Sequence, residues 1–184
     1  MMNMALNGTA MMLSEFVAFE ILTISVSRLG TSSLAAQSIT SSLATLLFQI
    51  PFGISVAGST RIAYHIGAGS IAMAKLANRI TFVLALVVGI LSCCTVYLFR
   101  AAIVHIFTSD PEVLKYATVS VGILGINQLF DCPNVLLAGC LRGQGRQHIG
   151  SALNILVYYA IAVPLALYLA FEAGLGLRGL WIGI

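Results

Sequence analysis

The feature that most constrains this chain is a series of long apolar runs. They fall at about 5–26, 39–64, 80–99, 116–137 and 151–169, and another opens at 179–184. A helix of about 20 apolar residues matches the roughly 30 Å hydrocarbon core of a bilayer. Lipid offers no water to pair backbone N–H and C=O groups, so such runs fold as helices. Composition agrees. The chain is 59% hydrophobic and 8% charged, where a soluble domain carries about 25% charged residues. The expected fold class is an all-α polytopic membrane protein, one domain over residues 1–184.

Composition also narrows function. No basic run is interleaved with aromatics, so nucleic acid is not an expected partner. Cys93, Cys94, Cys132 and Cys140 lie in apolar stretches without CxxC spacing and behave as small hydrophobes, not metal ligands. No nucleophile–base pair stands out, which leaves an enzyme without a site. Residues 1–12 lack the basic start of a cleavable signal. Met1 sits at the edge of the first run, and Ile184 ends inside GLWIGI, the opening of another helix. An incomplete chain or a half-length product is therefore expected.

Alternate loops share one side of the membrane. Loops two and four hold Arg61, Lys75, Arg79, Arg142 and Arg146. The other loops hold Arg28, Arg100, Lys115 and Arg178, with the acids Asp110, Glu112 and Glu172. The positive-inside rule then makes the loops at Arg61–Arg79 and Arg142–His148 cytoplasmic. The segment 67–78 reads as a loop, as does 141–150. Pro111 at a first helical position, with Glu112 beside it, suits a helix start. Pro51 and Pro133 mark bends.

Three acids lie inside the runs: Glu15 and Glu20 in the first, Asp131 in the fourth. An acid at mid-bilayer costs roughly 2.5 kcal/mol or more, so such groups are rare without a use. Glu20 lies about 7.5 Å along the axis from Glu15 and about 140° around it, so the two do not share a face. Pro133 has no N–H, which frees the carbonyl of Leu129, two residues before Asp131. Asn127, Gln128 and Asn134 add polar groups there. Low dielectric favours the neutral form of a carboxyl group; losing that proton creates a charge that attracts a cation. Three such acids suit a site that exchanges protons for cations; the alternative is neutral acids hydrogen-bonded between helices. Gln49, just before Pro51, is either part of that site or an interhelical contact. Tyr158 and Tyr159 either line a cavity for aromatic or cationic substrates or face the membrane interface. His65, His105 and His148 fall near run ends and form no ligand set. Arg142 to Arg146, RGQGR, is a tight turn and not a phosphate loop, because no strand precedes it.

In order along the chain, these residues resemble motifs of the multidrug and toxin extrusion (MATE) family, in its eukaryotic branch. Ser14-Glu15 with Phe19-Glu20 looks like the paired-acid motif of the family's seventh helix. Leu34 to Ile39, LAAQSI, resembles the segment entering the eighth helix. Gln49 to Ala57 is similar to its PxGxSxA segment, with Arg61 and Gly67-Ala68-Gly69 closing that helix. Leu141 to Gly145 resembles the LRGxG turn before the eleventh helix, and Asp131 falls at the tenth helix's acid. Ala63 to Ile66 departs from the family's VGNxLG-like run.

The resemblance implies the C-terminal lobe, helices seven to eleven and the start of twelve, of a 12-helix MOP-superfamily fold in which two six-helix lobes enclose a cleft. It implies efflux of small organic cations, with Glu15, Glu20 and Asp131 as ion and substrate site; Gln49, Asn127 and Tyr158 join the candidate site from the reading of the residues themselves. The implied partners are those cations, the bilayer and the N-terminal lobe, in a vacuolar or plasma membrane. No cofactor is implied; the coupling ion is a proton, with sodium as the alternative. Flipping of a lipid-linked substrate, or a truncated fragment that does not transport, are the other expectations.

The loop charges fix a topology. Cysteines placed at Lys75 and Arg142 are expected to resist an impermeant thiol reagent applied outside intact cells. External labelling of both would invert the assignment.

Overall fold

The computed structural model describes residues 2–183; the side chains of residues 2–8, 10–12, 14 and 15 lie outside the described ones. The described backbone is helical throughout, apart from short turns. The helices are α1 (Met2–Val26), α2 (Thr31–Gly67), α3 (Ile71–Phe107), α4 (Pro111–Gly143), α5 (Gln147–Glu172) and α6 (Leu177–Gly183). By length and composition, α2, α3, α4 and α5 can each cross a membrane. α2 and α3 have 37 residues each, about 55 Å at 1.5 Å per residue. Their ends therefore reach beyond the hydrocarbon core.

The turns are tighter than the sequence suggests. α3 begins at Ile71, so Lys75, Leu76 and Asn78 lie on the helix and the expected 67–78 loop shrinks to the turn after Gly67. Ala, Met, Lys and Leu are strong helix formers, and they extend the helix past its apolar part. The expected loop 141–150 likewise contracts to Gln144–Arg146, because α5 starts at Gln147. Both turns close alike. Gly69 and Gly145 adopt φ of +71°, and the next N–H reaches back to a carbonyl of the last turn, Ser70 to His65 and Arg146 to Leu141. A left-handed residue is required there, which favours glycine. α4 starts as expected: Asp110 caps it, its Oδ1 accepting from the N–H of Glu112 at 2.8 Å, and Pro111 follows.

Pro51 and Pro133 sit inside continuous α-helix. A change of register occurs in α5 instead, where Leu156–Ala162 and Tyr168–Glu172 form π turns. There the N–H of Val163 reaches the carbonyl of Tyr158, five residues back, just before Pro164, which has no N–H to offer.

α4 is the central helix, packed against both α2 and α3, while α1 packs against α5. The core runs through Leu22, Val26, Ala36, Val96, Val121, Leu124 and Leu180. Outward, α3 presents Phe82, Val83, Leu86, Val87, Ile90 and Leu91, an apolar surface suited to lipid. Glycine lets α4 approach its neighbours. Toward α2, a Cβ on Gly139 would meet Ser55 Oγ and come within 2.8 Å of the Ser55 carbonyl oxygen; one on Gly143 would lie 2.6 Å from the Ser59 carbonyl oxygen. Gly139 and Gly143 are four apart and so share a face, the spacing that brings membrane helices close. Ser55 fills the seam: its hydroxyl donates to the Val135 carbonyl at 2.8 Å and accepts from Arg142 at 3.0 Å.

Gly139→Ala is expected to cost about 1–3 kcal/mol by overpacking this seam. Gly53→Ala, where an added Cβ meets nothing within 4 Å, should be neutral or slightly stabilising, since alanine is the better helix former. Thermal unfolding in detergent compares the two.

Candidate functional site

A groove of about 390 Å³ opens between α1 and α2, lined by Thr23, Gln37, Ser38, Ser41, Ser42 and Thr45, with Leu34 as an apolar wall. Most of it comes from one helix face. Positions 38, 41, 42 and 45 recur at the three- and four-residue spacing that stacks side chains along a helix. Ser38, Ser42 and Thr45 are exposed and Gln37 is buried at the base.

Gln37 is also the middle of a buried junction. Its Oε1 accepts from the indole N–H of Trp181 at 2.8 Å, while its Nε2 donates to Ser41 Oγ at 3.2 Å and to Thr23 Oγ1 at 3.5 Å. Asn127 Nδ2 donates to the Trp181 carbonyl at 3.0 Å, and the Phe19 ring lies 6.2 Å from the indole. Side chains of α1, α2, α4 and α6 thus meet at one tryptophan. The junction is dry: Gln37 is 1% and Trp181 2% exposed. A buried amide and indole of this kind need their partners, because an unmet group costs about 1–3 kcal/mol.

The residues singled out in the sequence fall around these two features. Glu20 is exposed on α1, three residues before Thr23 and so on the neighbouring part of the same face. Asn127 belongs to the junction itself. Asp131 lies one turn further along α4, half-buried, with no hydrogen bond or ion pair to any described residue. Gln49 is exposed on α2, one turn past Thr45. Tyr158 is half-buried in the first π turn of α5, the helix that packs on α1. The Glu15 side chain lies outside the described residues. Glu20 and Asp131 are on helices with different main neighbours, and no hydrogen bond joins them.

The residues that sequence reasoning missed are Gln37, Trp181 and the hydroxyls of Thr23, Ser41, Ser42 and Thr45. A signal existed for the hydroxyls: polar residues at 38, 41, 42, 45 and 49 make a stripe in an otherwise apolar run. Nothing local marks the pairing of Gln37 with Trp181, which lie 144 positions apart.

Gln37→Leu is expected to cost about 1–3 kcal/mol, because it strands the Trp181 N–H. In a double-mutant cycle, Gln37→Leu with Trp181→Phe should cost less than the sum by about 0.5–2 kcal/mol. Thermal melts of the four proteins in detergent measure the coupling; additive losses would mean the bond carries none.

Comparison with known proteins agrees with this architecture. The MatE family model matches residues 9–168. An uncharacterized transporter of Saccharomyces cerevisiae is 40% identical over 182 residues, covering 99% of this chain and 26% of that protein. Multidrug and toxin extrusion protein 1 of Oryctolagus cuniculus is 32% identical, with 98% of this chain and 32% of that protein covered. The crystal structure of the eukaryotic MATE transporter AtDTX14 superposes with a TM-score of 0.93 at 32% identity, covering 98% of this chain and 41% of that one. The chain therefore spans about a third or less of the curated relatives named here. Because the family match runs over most of the sequence and the fold agrees along nearly its whole length, the chain belongs to the MatE family of multi-pass integral membrane proteins.

Proposed function

We propose that this chain is the C-terminal lobe of a secondary antiporter that exports small organic cations in exchange for protons. The observation that carries the proposal is Glu20, a carboxyl group exposed on α1 one turn before Thr23 of the hydroxyl-lined groove. Facing lipid at mid-bilayer, an acid costs roughly 2.5–3.5 kcal/mol. A water-filled cleft against a second lobe removes that cost. The multidrug and toxin extrusion proteins among the relatives support export as the direction.

The mechanism follows from charge. With the cleft open inward, ionised Glu15, Glu20 and Asp131 hold the cation. With it open outward, protons neutralise the acids and the cation leaves. Protonation supplies the difference in affinity that any ligand-driven switch requires. Pro133, two residues past Asp131, removes one helical hydrogen bond from α4 and gives that turn freedom to move. The junction at Trp181 ties Asn127, one turn before Asp131, to Gln37 in the groove, so movement of α4 is felt there.

In the full-length transporter, Glu20→Gln and Asp131→Asn are each expected to abolish proton-driven efflux while preserving folding, since both keep size and hydrogen bonding but remove the charge. Glu15→Gln should do the same. Uptake of a fluorescent organic cation into inverted vesicles under an imposed pH gradient measures this. Wild-type rates in all three variants would make the carboxylates structural.

A further inference from the structure

The α1–α2 groove has a polarity that its residue names do not convey. A hydroxyl group has one proton, and a carbonyl can only accept. Thr23 Oγ1 donates to the Phe19 carbonyl at 3.1 Å, Ser42 Oγ to the Ser38 carbonyl at 2.9 Å, and Thr45 Oγ1 to the Ser41 carbonyl at 2.9 Å. Each of these protons is committed to the helix backbone, the bonding that serine and threonine adopt within membrane helices. What Ser42 and Thr45, both exposed, turn toward the groove is lone pairs. Gln37 is oriented as well. The Trp181 N–H can only donate, so it holds the amide oxygen, and the amide N–H groups are taken up by Ser41 and Thr23. No lysine or arginine lines the cavity. The hydroxyls of Ser38 and Ser41 donate to no described residue and keep a proton for the groove, whereas Ser42 and Thr45 offer it acceptors only.

We propose that this groove is a binding site for protonated amines, selecting cations that carry N–H donors over quaternary ammonium ions. The proposal deepens the transport function and rests on it for the groove's role. Glu20 attracts any cation through its charge and lies outside the groove lining. The hydroxyl oxygens tell the two kinds apart, because an ammonium N–H makes charge-assisted hydrogen bonds to them and a quaternary nitrogen has no proton to give. Leu34 supplies an apolar wall for the alkyl part of either ligand.

The test is equilibrium binding to the purified full-length protein in vesicles without a gradient, using labelled triethylammonium, which has one N–H, and tetraethylammonium, which has none. Triethylammonium is expected to bind tighter by on the order of threefold to tenfold, the ratio that one hydrogen bond supplies. In the Ser42→Ala/Thr45→Val variant that preference should fall toward unity, with tetraethylammonium affinity unchanged. Equal affinities in the wild type would overturn the proposal without using any variant. So would a preference that survives the double substitution, or an equal loss of both ligands. Binding is read apart from flux, so the two proposals fail separately. Selective binding with intact transport in the carboxylate variants would sink only the antiport mechanism, and loss of transport in them without selectivity would sink only the groove.

Discussion

The fold depends on how closely α4 can approach the helices on either side of it. In lipid, helices gain nothing by hiding apolar side chains from one another, so association rests on close packing and on the hydrogen bonds it permits. α4 is built for this on two faces. Gly139 and Gly143 admit the backbone of α2 near Ser55 and Ser59, while Gly122 and Gly125 lie against Arg100 and Val96 of α3. α3 reciprocates with Gly89, where a Cβ would stand 3.1 Å from the Gln128 carbonyl oxygen. Only at such distances can Ser55 bridge α2 to both Val135 and Arg142.

That central packing leaves α1 at the periphery, against α5, and the site follows from it. One face of α2 is free of α4 and carries the hydroxyl stripe; α1 crosses beside it and contributes Thr23. The groove is thus a gap between α2, which packs on the central α4, and α1, which packs mainly on α5. Trp181 closes its base. The last helix reaches it because Gly179 and Gly183 let α6 lie directly on the Leu169–Ala170 backbone and on Ala166 of α5. Small residues position the two groups, Gln37 and Asn127, that Trp181 then joins.

In the proposed site, two kinds of attraction fall to different residues. Carboxyl groups supply charge, whose pull is long in range and felt by every cation. Hydroxyl oxygens supply direction. Each can change without the other, since Glu20 sits on α1 and the exposed acceptors Ser42 and Thr45 on α2.

The apolar runs determined, by themselves, that the chain is helical and spans a membrane, because lipid leaves the backbone no other way to pair its polar groups. Local chemistry at Asp110-Pro111 also marked the start of α4 correctly, since a cap is made by residues adjacent in sequence. The ends of α3 and α5 were not legible: Lys75 and Gln147 lie before the apolar runs at 80–99 and 151–169 yet already belong to those helices, and hydropathy does not measure helix propensity. The acids stood out because a single buried charge is conspicuous wherever it faces. The groove did not, because a hydroxyl becomes an acceptor only through the carbonyl that takes its proton. Only the tertiary structure decided which residues meet at Trp181. Gln37 and Asn127 are ordinary amides in the sequence, and what joins them is the packing of α6 across α5 and α4, which brings together groups far apart along the chain.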